Sequence, residues 1–287
     1  MQKLITELQR LYFHDRQLAC SHRFSDGDAT VDEACPSPLI ALSPALLADC
    51  LNGESRVAIS LLGAEQSVRA MVLSVERVSD WEAVASVFHG VQNDLDLPAP
   101  AIAVSGNKGF GIWFSLADSL LLDDAKSFLT ALCHEYLADI AGAKLELLPG
   151  EAPTLLALVP AFQPLSGKWS AFIDPSMGSM FIDEPGLDMA PNMDRQAEML
   201  AGLRSITRSE FQQAQSRLQA MQAERLEQAD VMAQVSASRC LPGGPCDSYQ
   251  DPRNFLLAVM NDTGVTIEHR VEAAKALLPY FSGRWPD

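Results

Sequence analysis

Ser105-Gly106-Asn107-Lys108-Gly109 lies between two short apolar runs, Ala101 to Val104 and Gly111 to Leu116, and is the stretch best equipped for chemistry. Small residues at a strand-to-strand turn let backbone N–H groups approach an anion, and Lys108 adds a point charge. A nucleotide phosphate can sit at such a loop, so Ser105, Gly106, Asn107, Lys108 and Gly109 are the candidate nucleotide-binding residues. Trp113 and Trp169 fall on apolar runs and read as core side chains, not as stacking platforms for bases.

Other residue sets fail on spacing. Cys20, His22 and Cys35, or Cys240 with Cys246, lack the close cysteine pairs of structural zinc sites. His134-Glu135 has Ala138 where a zinc-binding helix needs its second imidazole one turn on. Ser105 is preceded by Val104 and Ala103, so no nucleophile elbow forms around it. A Walker-type phosphate loop is absent from the sequence, which argues against ATP hydrolysis of that kind.

The elements that must position the loop follow from periodicity. Leu4, Leu8, Leu11 and Tyr12 recur at helical spacing, and Ser43-Pro44 opens a second helix to Leu51. Arg56 to Leu62 and Val68 to Val75 read as strands joined by a hairpin or short loop. Helices are expected over Asp80 to Asp94 and Leu122 to Ala141, and further strands over Thr154 to Val159 and Trp169 to Ile173. Pro160 to Lys168 and Asp174 to Asn192 are turn-rich. Asp194 to Leu203 reads as a helix, and Thr207 with Glu210 forms a capping box that starts a long helix to about Val235. Local strand pairs mixed with helices favour an α+β domain over a repetitive parallel βαβ chain.

The S-G loop in this setting resembles the second motif of the archaeo-eukaryotic primase (primase-polymerase) superfamily, an S-G-x-x-G-x-H-V/I-W-like run between two strands. Met71-Val72-Leu73-Ser74-Val75-Glu76 lies where that family carries an h-h-D-h-D strand. Lys168 to Asp174 and Ser179 to Asp183 both resemble its third, h-D motif. Gln196 to Glu210 resembles the helical segment closing primase-polymerase domains of plasmids and integrative elements. The resemblance spans roughly Val57 to Phe211. It implies an RRM-like mixed or antiparallel sheet, Mg²⁺ or Mn²⁺ if the protein is active, and metal ligands at Glu76 with Asp174 or Asp183. It also implies that Ser105 and a following His meet an incoming nucleotide. The pattern departs from the family at two places: the first Asp is Ser74, a neutral hydroxyl, and the His is Gly111. The resemblance therefore implies a catalytically degenerate protein of a mobile element or phage that binds nucleotide, single-stranded nucleic acid, or a replication or defence partner. The alternatives are an active primase-polymerase using Glu76 and Asp174 or Asp183, and an acidic protein-interaction module.

Five segments are expected: an N-terminal helical piece over 1–55, the primase-polymerase-like domain over 56–211, a long helix over 212–238, a linker over 239–250, and a C-terminal helical hairpin over 251–287. The hairpin resembles a segment of phage terminase small-subunit-like proteins, and with the acidic surface it offers a protein contact.

Composition sets limits. The 287 residues carry 21 Lys and Arg against 37 Asp and Glu, a formal charge of −16. General phosphate-binding surfaces depend on Lys and Arg displacing counterions, so any nucleic-acid contact must be a local groove. Lys108, Lys168, Arg204 and Arg208 are the cations expected around it, and Lys168 joins the nucleotide-binding candidates. No run reaches the roughly 18 apolar residues of a membrane span, and a secretory signal pattern is missing from the first residues. The sequence reads as cytoplasmic, with its six scattered cysteines reduced.

Overall fold

The computed structural model describes residues 1–24, 38–138, 140, 144–150, 155–238, 252–262 and 264–277. It divides into two compact units, Met1–Arg225 and Leu226–Asp287.

The first unit runs α1 (Gln2–Tyr12), β1 (Leu18–Arg23), β2 (Ile40–Ala41), α2 (Pro44–Leu51), β3 (Ser55–Ser60), β4 (Ser67–Val75), α3 (Trp81–Asn93), β5 (Ala101–Val104), β6 (Phe110–Leu121) and α4 (Leu122–Tyr136). It continues through β7 (Leu145–Leu148), β8 (Leu155–Ala157), β9 (Phe162–Gln163), β10 (Lys168–Trp169), β11 (Ala171–Ile173) and α5 (Met193–Ala201) into α6 (Arg208–Ser238). Its architecture is α+β. A five-stranded sheet, in order β11-β5-β6-β4-β7, is antiparallel at every pairing, and a smaller sheet has the order β2-β1-β3-β8.

Both faces of the larger sheet are covered, which is why β4 reads as an almost unbroken apolar run. Met71, Leu73 and Val75 enter a core with Val84 and Val87 of α3, Phe128 of α4 and Phe211 of α6. Ala70 and Val72 point the other way, into a core with Leu4 and Leu8 of α1, Val57 and Ile59 of β3, and Leu200 of α5. The strand period of two sends alternate residues to opposite layers. Full burial of each such aliphatic or aromatic side chain contributes about 1.5–3 kcal/mol.

Local chemistry explains the helix ends. Ser43 Oγ accepts from Leu46 N–H while Pro44 opens α2. Thr207 N–H donates to Glu210 Oε2 at 2.9 Å and Glu210 N–H to Thr207 Oγ1 at 3.4 Å, completing the expected capping box. Helix α4 stops at Tyr136 instead of Ala141, because Leu137 leaves the helical region (φ −126°, ψ 21°) and is buried.

Residues 63–67 form a short loop, not a hairpin turn. β3 belongs to the small sheet and β4 to the large one, and the two meet only at an isolated bridge between Leu62 and Val68. A similar change of sheet divides the run Trp169 to Ile173: β10 pairs with β9, Ser170 turns the chain, and β11 joins β5. Ser170 Oγ accepts from Ala161 N–H at 2.9 Å and donates to Ala161 C=O at 3.2 Å, fixing that turn.

Cysteine chemistry departs from the expectation of reduced thiols at one place: Cys20 is in a disulfide. Cys50 and Cys133 are free, and burial pushes their thiols up to about 12 and about 11. Cys35, Cys240 and Cys246 lie outside the described residues, as do 239–250 of the expected linker.

In the second unit α7 (Pro252–Asn261) and α8 (Ile267–Leu277) form a hairpin. Arg270 Nε donates to Met260 C=O at 2.9 Å, and Ala273 and Leu277 are buried. Among the described residues no helix is long and apolar enough to cross a membrane.

Candidate functional site

The site is organised by one row of residues across the large sheet. Ser74 of β4 pairs with Gly111 of β6, Gly111 with Ala103 of β5, and Ala103 with Phe172 of β11. On the other side Ser74 pairs with Glu146 of β7. Direct antiparallel partners project to the same face. Ser74, Gly111, Ala103 and Glu146 accordingly line one cleft of about 600 Å³, opened on its far side by Arg56 of β3 and by Leu155 and Leu156 of β8.

Glycine at 111 makes the floor shallow-walled. A Cβ there would stand 3.1 Å from Trp113 Nε1, so any larger side chain would project over the indole. Trp113 itself is 3% exposed and packs edge-on against Tyr12 and Phe172, as a core residue that also reaches the cleft.

The S-G loop closes one end. Ser105 Oγ accepts from the backbone N–H groups of Asn107, Lys108 and Gly109 at 3.3, 2.9 and 2.9 Å. Gly106 N–H donates to Pro185 C=O at 2.7 Å, and Ser105 N–H to Gly109 C=O at 2.9 Å. The loop's backbone donors thus converge as the sequence suggests, but on the loop's own hydroxyl. What it offers a ligand is the side chains of Asn107 and Lys108, both exposed and both on the cleft rim. Gly109 is required by contact: a Cβ would lie 2.0 Å from Val75 C=O. Gly106 is required by conformation, with φ at +82°.

Glu76 is two residues beyond Ser74 on the same face, and its Oε1 lies 3.5 Å from Lys108 Nζ. Asp174 lies two residues beyond Phe172 in the opposite direction. From the register the two carboxylates are four residues apart along the strands and three strands apart across the sheet, roughly 20 Å in all. Asp174 accepts from Ser176 Oγ at 2.6 Å and Ser176 N–H at 2.9 Å, which hold its carboxyl below the usual range and cap the turn that follows. Asp183 is exposed on the segment that reaches the S-G loop through Pro185. Lys168 is spent on that segment, bonding Glu184 at 2.6 Å and Asp188 at 3.0 Å, and both bonds raise its pKa.

The arrangement brings Ser105, Asn107, Lys108 and Ser74 around the cleft, with Glu76 held to Lys108. It does not bring Asp174 to Glu76. A pair of Mg²⁺ or Mn²⁺ ions needs clustered carboxylates with the metals about 3.5–4 Å apart. The row instead presents a hydroxyl at 74, no side chain at 111, a methyl at 103 and a phenyl ring at 172. Glu76 has a lysine partner, leaving Glu146 as the other carboxylate on the cleft, and the described residues contain no group of three His, Cys, Asp or Glu side chains able to hold a metal. The donor set does not fit a two-metal centre.

Four cleft residues were not legible as site residues: Arg56, Glu146, Gln163 and Ser170. Glu146 carried one usable signal, the alternation Leu145-Glu146-Leu147, which marks a half-buried strand. Arg56 and Gln163 carried none, because they reach the cleft only through packing between elements distant in sequence.

No family model matches the chain, and no curated protein matches it. Solved structures similar to it include two primases. The crystal structure of primase RepB' has a TM-score of 0.40 and 16% identity, covering 99% of this chain and 88% of that one. The AEP domain of the cyanophage S-2L primase-polymerase has a TM-score of 0.40 and 11% identity, covering 69% of this chain and 97% of that one.

Proposed function

We propose that this chain is a primase-polymerase-like protein of a mobile element or phage that has lost templated synthesis and acts by binding a nucleotide in the cleft between its two sheets. The observation that carries the proposal is the Ser74–Gly111 pair on the cleft floor. The segments that resemble the first two motifs lie side by side at this cleft, β4 next to the β5–β6 pair, which supports the reading. What remains is a pocket: Lys108 and Asn107 at one end, an apolar β8 wall, and a floor kept open by Gly111. Its volume suits one small ligand. The protein's −16 charge limits a long polyanion to weak contact outside this groove.

Thermal unfolding with and without nucleotides tests the proposal. A ligand at 100 times its Kd stabilises by about 2.7 kcal/mol, a readily measured rise in melting temperature. Wild type gains this rise with at least one nucleotide, and Gly111→Leu, whose side chain fills the floor and whose fold is checked by circular dichroism, does not. Absence of any nucleotide effect, or an equal effect in Gly111→Leu, overturns the proposal.

A further inference from the structure

The cleft contains two polar groups that the motif segments do not account for. Gln163 is 5% exposed and lines the cleft, yet its side-chain amide has no hydrogen-bond partner among the described residues. Its Cγ lies where a side chain on Gly106 would reach, so the amide is held beside the S-G loop. The amide is open to the cleft and not buried and unmet, so a ligand there can take the place of water on it. Such an amide, with two donors and an acceptor at the edge of a cavity, matches the edge of a nucleobase. The half-buried Arg56 on the facing sheet likewise makes no hydrogen bond or ion pair among the described residues. A guanidinium with its five donors unspent is suited to a phosphate.

Charge decides which phosphate. The cleft carries Arg56 and Lys108, but Lys108 stands 3.5 Å from Glu76 and Glu146 adds a second carboxylate beside Ser74. Fixed charges nearly cancel. A triphosphate needs metal ions or several cations to offset its charge, and the described residues hold no group of three His, Cys, Asp or Glu side chains that would bring metals in. A single phosphate needs only Arg56. Leu155, Leu156 and Ala157, with the floor left open at Gly111, give the cleft an apolar wall on which the ring of a base can pack.

Resting on the reading of this cleft as a nucleotide site, we propose that its ligand is a nucleoside monophosphate bound without a metal ion, with Arg56 on the phosphate and Gln163 on the base edge. Isothermal titration of the full chain with each of the four deoxynucleoside 5′-monophosphates in EDTA, and with the matching triphosphates with and without Mg²⁺, tests this. At least one monophosphate binds in EDTA more tightly than its triphosphate under either condition. Arg56→Ala weakens that monophosphate about tenfold to a hundredfold. Gln163→Met, of similar length, reduces discrimination among the four bases while the Arg56-dependent affinity persists. Tighter binding of a triphosphate with Mg²⁺ overturns this inference and leaves the nucleotide-cleft reading standing. Unchanged monophosphate binding in Arg56→Ala also overturns it. If none of these nucleotides binds in any form, both readings fall.

Discussion

Ser74 and Gly111 are direct cross-strand partners at the centre of the β4–β6 pairing, on the face that lines the cleft. Thirty-seven positions separate them in sequence, and each departs from the primase-polymerase pattern in its own motif. In the fold they are one place. Where the motifs that the sequence resembles carry a carboxylate and an imidazole, this chain has a hydroxyl and no side chain, and both departures face the same floor. Direct antiparallel partners have Cβ positions about 4.5–5.5 Å apart, so the two changes act on the same few ångströms of cleft.

The edge of the large sheet depends on one side chain. Gln196 of α5 accepts from Phe172 N–H and donates to Phe172 C=O, both at 2.8 Å, and is 5% exposed. It supplies to β11 what a further strand would supply. Gln196→Leu leaves two buried backbone groups unmet and lowers unfolding free energy by about 2–4 kcal/mol in urea titrations. A loss below about 0.5 kcal/mol would show that solvent reaches the edge.

Contact at Gly109 is equally specific. Gly109→Ala drives a methyl group to within van der Waals overlap of Val75 C=O, whereas Gly202→Ala meets only Met199 C=O at 3.7 Å. The first variant melts several degrees below wild type and weakens nucleotide binding together, because the β4–loop contact positions Lys108. The second melts within about 2 °C of wild type. Equal melting temperatures for the two would contradict the contact argument.

His14 gives a pH dependence. Burial lowers its pKa from 6.5, ahead of the opposing hydrogen bond to the Leu61 carbonyl and the further lowering by Arg69, and its Nε2 is buried without a partner. The unfolded chain therefore binds a proton at His14 more readily than the folded one. Its contribution is intact above pH 6.5 and is lost as pH falls from there through the lower folded value. Unfolding free energy measured at pH 7.5 and pH 5.5 falls more in wild type than in His14→Gln. Identical falls would assign the dependence to other groups.

Helices with clear periodicity and caps were the most legible part of the chain. Pro44–Leu51 was bounded by Ser43 and Pro44, and the Thr207–Glu210 box placed the start of the long helix, because both signals act within four residues. Strands were legible as runs but not as partners: β3 and β4, adjacent in sequence, belong to different sheets, and β10 and β11 part at Ser170. Pairing is set by packing that no local pattern encodes. The same limit applies to the site. Lys108 could be found from its loop, while Arg56 and Gln163 could not, since nothing in their own neighbourhoods ties them to a cleft made by β3, β6 and β9. Asp174 lay in the right motif order, but the register turns it to the far end of β11 from Glu76.

Primer extension bears most directly on the claim that templated synthesis has been lost. Purified protein is incubated with a primed template, all four dNTPs and either Mg²⁺ or Mn²⁺, and product length is followed against a protein-free control. Wild type extends the primer no further than the control with either metal. Metal-dependent extension by wild type that is lost on Glu76→Ala or Glu146→Gln would contradict the account and make the cleft an active polymerase centre.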